Sequence, residues 1–111
     1  MTRQIREPDW KLFRELRQIA LERFCERILS EVQSISSDGA RSFHERFLDV
    51  FEVINNRNED IARAFDNPRR STALIQIAAI RSRDLLTDEE FLRFGEETRS
   101  LIEILLGNSR A

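Results

Sequence analysis

Between Ala73 and Ile80 the chain carries a single polar residue, Gln76, and its apolar positions do not keep to one side of a helix. Leu74, Ile77 and Ala78 share one face, while Ile75 and Ala79 share another. A helix that is apolar on all sides has to be covered by other elements, so this segment predicts a buried helix inside a bundle. A second helix start follows at once. Thr87 offers its hydroxyl as an N-cap, Glu90 three residues on completes a capping box, and Leu86 is placed to staple against Phe91. One buried helix therefore turns directly into another.

The rest of the chain must supply the cover. Three Gly, two Pro and no Tyr in 111 residues, with 41% hydrophobic and 34% charged side chains, leave few turns between long amphipathic segments. That is a helical composition, and no alternating strand pattern or internal repeat competes with it. The length fits one domain over residues 1–111, with 1–7 and 108–111 expected as frayed tails.

The first helix opens at Pro8, which suits a first helical turn, with Asp9 favourable beside the N-terminal dipole. Apolar positions continue through Trp10, Phe13, Leu16, Ala20, Phe24, Ile28 and Val32 to about Ile35. On a helical wheel the apolar arc moves. Leu12, Leu16, Ile19 and Ala20 make one arc and Cys25, Ile28, Leu29 and Val32 another, with centres roughly 140° apart. No Gly or Pro lies between them, which predicts one continuous helix, roughly 40 Å long, with different neighbours at its two ends.

Ser36, Ser37, Asp38 and Gly39 supply a turn, and Ser37 or Asp38 is the expected cap of a second helix with Phe43, Phe47, Val50, Phe51 and Ile54 on one face. The run Asn55, Asn56, Arg57, Asn58 has the composition of a loop, but Ile61 and Phe65 stay in phase across it. One helix to about Phe65 is therefore predicted. Pro68 disfavours helical geometry at Asn67, so Asn67 is expected to cap a third helix that starts at Pro68 and runs to about Asp84. The fourth, from Thr87, turns Phe91, Phe94, Leu101, Ile102 and Leu105 inward and stops at Gly107.

These elements predict an all-α, four-helix antiparallel bundle made of a long hairpin, residues 8–66, and a shorter one, residues 68–106. The short helices cannot cover the long ones, which leaves about a third of the long hairpin bare at its tip. Ile28, Leu29, Val32, Phe43 and Phe47 lie there, and they are the expected interface of a homodimer that completes the bundle.

The segment from Ala79 to Phe91, with its Leu-Leu-Thr-Asp-Glu-Glu-Phe turn, resembles the bacterial short C-terminal domain, a helical hairpin whose second helix opens with a similar Thr-x-Glu-Glu-Phe pattern. Asp84 stands where that family usually has Gly, and Leu92, Arg93, Phe94 and Gly95 replace its usual basic residues. The resemblance implies a role in association without catalysis.

The residues that could carry chemistry are few. His44 is the only histidine and Cys25 the only cysteine. His44 is expected as a packing group at a helix border and Cys25 as a buried, inert thiol. Di-iron bundles need paired Glu-x-x-His motifs and structural zinc needs more Cys or His than the chain has, so neither a metal nor another cofactor is expected. Arg69, Arg70, Arg81 and Arg83 invite a helix-turn-helix reading. The following helix would then aim Asp88, Glu89 and Glu90 at phosphates, and the net charge of -2 gives no pull toward a polyanion. No run approaches the roughly 18 apolar residues of a membrane span. The expectation is a non-enzymatic, cytoplasmic interaction or assembly module with a protein partner and no membrane contact, and the alternative class is a nucleic-acid-associated regulator.

Overall fold

With no helix breaker between Pro8 and Gly39, nothing in the sequence interrupts the first helix. The computed structural model describes residues 5–110, with side chains to 107, and is all-helical over them. Helix α1 is continuous over Glu7–Ser36, with Pro8 in its first turn. Its buried residues form one stripe, Phe13, Leu16, Ala20, Phe24 and Ile28. The shift of the apolar arc seen in the sequence is therefore not a shift of the buried face. Cys25 and Leu29 belong to a second stripe that the chain itself does not bury. Ile5, in the segment expected to fray, is 4% exposed and part of the core.

Helix α2, Phe43–Phe65, also runs unbroken through Asn55 to Asn58. Its cap is Ser42, not Ser37 or Asp38: the Ser42 hydroxyl accepts from the Glu45 N–H and the Glu45 carboxylate accepts from the Ser42 N–H. Ser37 instead closes α1, its N–H and hydroxyl both donating to the Gln33 carbonyl, and Asp38 accepts from the Ala40 N–H in the turn. The chain leaves α2 through Asn67, whose φ of 50° is left-handed.

Helix α3, Ala73–Ser82, starts five residues later than Pro68. Asn67 does not cap it; Thr72 stands at the N-cap position, at the end of a turn in which its N–H donates to the Arg69 carbonyl. Gln76, the one polar residue of the segment, is buried and spends its amide on the Asp66 carbonyl at 2.9 Å, closing the C-terminus of α2. Ala73, Ile77, Ala78 and Ile80 are buried as well, but Ile75 is 64% exposed, so α3 is covered on three sides and open on the fourth. It packs against α5, α2 and α1.

The Thr87 capping box forms, and Leu86 and Phe91 are both buried. The helix it opens is short. Helix α4 is Asp88–Leu92, and helix α5, Glu96–Arg110, follows after a break. Asp9, near the start of α1, makes the break. Its carboxylate, 7% exposed, accepts from the Gly95 N–H at 3.1 and 3.3 Å and from the Thr98 hydroxyl at 2.5 Å, so it caps α5 from across the fold. A Cβ on Gly95 would lie 3.3 Å from that carboxylate, which gives the glycine a packing reason. Helix α5 then passes through Gly107 rather than stopping there.

Three arginines of α1 tie the fold together, Arg17 joining α1 to the end of α2 and Arg23 and Arg27 seating the α3–α4 turn on the hairpin. Arg17 donates twice to the Phe65 carbonyl, Arg23 to the Leu85 carbonyl, and Arg27 to those of Arg83 and Asp84. Each meets a helix C-terminus or the turn beyond it, where carbonyls lack intrahelical donors. Arg83 reaches across to Asp60 on α2 at 3.3 Å. These contacts fix the far edge of the covered region at the level of Arg27 and Asp60.

Candidate interaction surface

From residue 29 to residue 63 no side chain is buried. The end of α1 and most of α2 pack on each other and on little else, and one helix neighbour cannot enclose an apolar stripe. The molecule is drawn out accordingly. Its extents are 54 × 26 × 24 Å and its radius of gyration is 16.7 Å, against roughly 13 Å for a compact chain of this length.

The bare apolar surface has a definite shape. On α2, Phe43, Phe47, Phe51 and Ile54 follow one another at helical spacing and are 84%, 66%, 63% and 49% exposed. On α1, Leu29 is 66% exposed and Cys25 is half-buried. Between the helices a groove of about 280 Å³ joins the two sets, walled by Cys25, Ile28, Leu29, Ile54 and Ile61 with Arg57 and Asn58. Arg23 and Arg27, which bind the α3–α4 turn, point roughly 160° away from Cys25 and Leu29 on the wheel of α1. The surface therefore lies on the side of the α1–α2 hairpin away from the α3–α4 turn and runs from the tip to the level of Ile54, beyond which Ile61 and Phe65 on the same face of α2 join the core.

Of the five residues expected at an interface, Leu29, Phe43 and Phe47 lie on this side. Ile28 is 9% exposed and already belongs to the core, and Val32 is half-buried against it. Phe51 and Ile54 complete the stripe; both were legible as members of the α2 apolar face, but exposure depends on where α3 sits. Cys25 lines the groove instead of lying buried. His44 is exposed on α2.

Several charges near the tip are paired. Arg41 meets Asp49 at 2.8 Å and Glu45 at 3.8 Å, and Arg57 meets Glu31 at 3.4 Å across the two helices. The Ser42 N–H, then its hydroxyl, then Arg41 hold the Glu45 carboxyl below the usual carboxylate range. Arg46 has no carboxylate of the described residues against it; its guanidinium donates to the Arg41 and Ser36 carbonyls and lies 4.5 Å over the Phe43 ring, so the stripe is an apolar surface whose border is mostly, not wholly, neutralised. Among the described residues no three His, Cys, Asp or Glu side chains converge as a metal site would require. No helix among them is long and apolar enough to cross a membrane. No family model, curated protein or solved structure matches this chain.

Proposed function

We propose that this protein is a non-enzymatic, cytoplasmic assembly module that works as a homodimer. The observation that carries the reading is the exposed stripe of Leu29, Phe43, Phe47, Phe51 and Ile54. At roughly 200 Å² for a fully exposed large apolar side chain, these five present about 650 Å² per chain, more than the apolar patch a monomer usually shows. Two copies pressed together would remove about 1,300 Å² from water, which is the size of a stable, specific interface. In this reading the long hairpin and the α3–α5 pair make an antiparallel four-helix bundle, and the second chain finishes its cover. The charged outer faces are left for a further protein partner. The likeness of the Leu85 to Phe91 turn to the short C-terminal domain agrees with an association role.

Light scattering at micromolar concentration tests this directly. The wild type is expected as a dimer, and Leu29→Glu and Phe47→Glu as monomers that keep their helical circular dichroism, because neither residue is in the core. A monomeric wild type overturns the proposal. A steeply salt-dependent affinity for non-specific DNA would favour the nucleic-acid regulator instead.

A further inference from the structure

The bare side projects at one end and is hollow at the other. Phe43 and Phe47 stand out near the tip, whereas the groove between Leu29 and Ile54 lies further along α2. Phe43 and Phe47 precede Phe51 by eight and four residues, and Ile54 and Asn58 follow it by three and seven. Projection and hollow thus sit at matching distances on either side of Phe51.

Resting on the self-association proposed above, we propose that two copies meet side to side across a two-fold axis beside Phe51. Helix α2 then runs antiparallel to α2 of the other copy, and Phe47 of each chain enters the groove of the other. Only this orientation fills both hollows with both projections. A tip-to-tip pairing would cover Phe43 and leave Leu29, Ile54 and the groove in water. A parallel pairing would set Phe43 on Phe43 and hollow on hollow. Two copies of the stripe together supply the area that a stable, specific interface needs, with no surface from another protein. Arg57, held in the groove by Glu31 at 3.4 Å, would lie against the incoming ring, where a guanidinium is attracted to an aromatic face.

In this register residue 44 of one chain lies beside residue 58 of the other. His44 and Asn58 are both exposed and outside the core, so cysteine at either leaves the core packing intact; Asn58 also walls the groove, so the mass of each variant is compared with that of its parent. The experiment takes Cys25→Ala as the parent, adds His44→Cys or Asn58→Cys, and oxidises each protein alone and in an equimolar mixture, with the parent's mass followed by light scattering. A disulfide needs Cα atoms within about 7 Å. The expected result is a crosslinked dimer in the mixture and little in either protein alone. Crosslinking of each variant to itself would overturn the antiparallel register. A dimer by scattering without any crosslink would overturn the register and leave the homodimer standing. A monomeric parent and wild type would overturn both.

Discussion

Glu90 holds Thr87 and Arg23 together. One carboxylate oxygen accepts from the Thr87 N–H, and the pair takes the Arg23 guanidinium at 2.7 and 2.9 Å. The hydrogen bonds from Arg23, supported by the Thr87 N–H and opposed by burial, lower its pKa from 4.5 to about 2. A carboxylate whose folded-state pKa lies below its unfolded value adds stability above the unfolded value and loses it as pH falls through the folded one. The contribution should be on the order of 2–3 kcal/mol at neutral pH and fade between about pH 4.5 and 2. Glu90→Gln keeps the capping box but not the charge. Its urea midpoint should lie below that of the wild type at pH 7, and the gap should close as the pH approaches 2. Asp84 is the other informative residue. Its φ is 58°, and the Asp84 and Leu85 N–H groups donate to the Arg81 and Ile80 carbonyls in a Schellman turn. Glycine adopts that backbone without strain, so Asp84→Gly should raise stability by about 0.5–1 kcal/mol, read as a higher denaturant midpoint. The sequence placed the capping box correctly because its partners are three residues apart. It could not place Arg23 in it, since that partner comes from a helix 67 positions away.

At the scale of elements, the break between α4 and α5 shows how a distant side chain decides a boundary. The Phe91, Phe94, Leu101, Ile102 and Leu105 spacing is compatible with one helix from Thr87, and a single Gly costs such a helix only about 1 kcal/mol. Asp9 tips the balance by offering the Gly95 N–H and the Thr98 hydroxyl a buried acceptor. Asp9→Ala should therefore cost about 2–3 kcal/mol, because it strands Thr98, 4% exposed, without its acceptor. Hydrogen exchange should speed up first around Gly95 and the start of α5, and an unaltered exchange pattern there would show that the break has another cause. The start of α2 is the opposite case. Ser42 and Glu45 spell a capping box in the sequence itself, and the signal was available but masked by the turn-forming composition of residues 36–39.

At the scale of the whole molecule, a fold with no buried side chain between residues 29 and 63 gives that hairpin little cover of its own. In the proposed homodimer, association couples to folding by mass action. The melting temperature should rise with protein concentration in the wild type and stay constant in Phe47→Glu. A wild-type melting temperature independent of concentration, over a range in which scattering shows the mass to change, would mean that the hairpin is stable uncovered.

The sequence by itself determined the helical class, the continuity of α1 and α2, the Thr87 cap and the presence of an apolar α2 face. All of these follow from periodicity and from contacts between residues a few positions apart. It also showed that the elements after residue 68 are too short to cover the long hairpin, although they read as two where the structure has three, α3, α4 and α5. Only the tertiary structure decided which surface that leaves bare. The apolar stripes on α1 and α2 look alike in the sequence whether a helix lies on them or not. Arg23, Arg27 and Arg83 seat the α3–α4 turn on one side of the hairpin, and that placement leaves Phe51, Ile54 and Cys25 on the other. Exposure belongs to the packing of separate elements, and side chains brought together from across the chain set that packing.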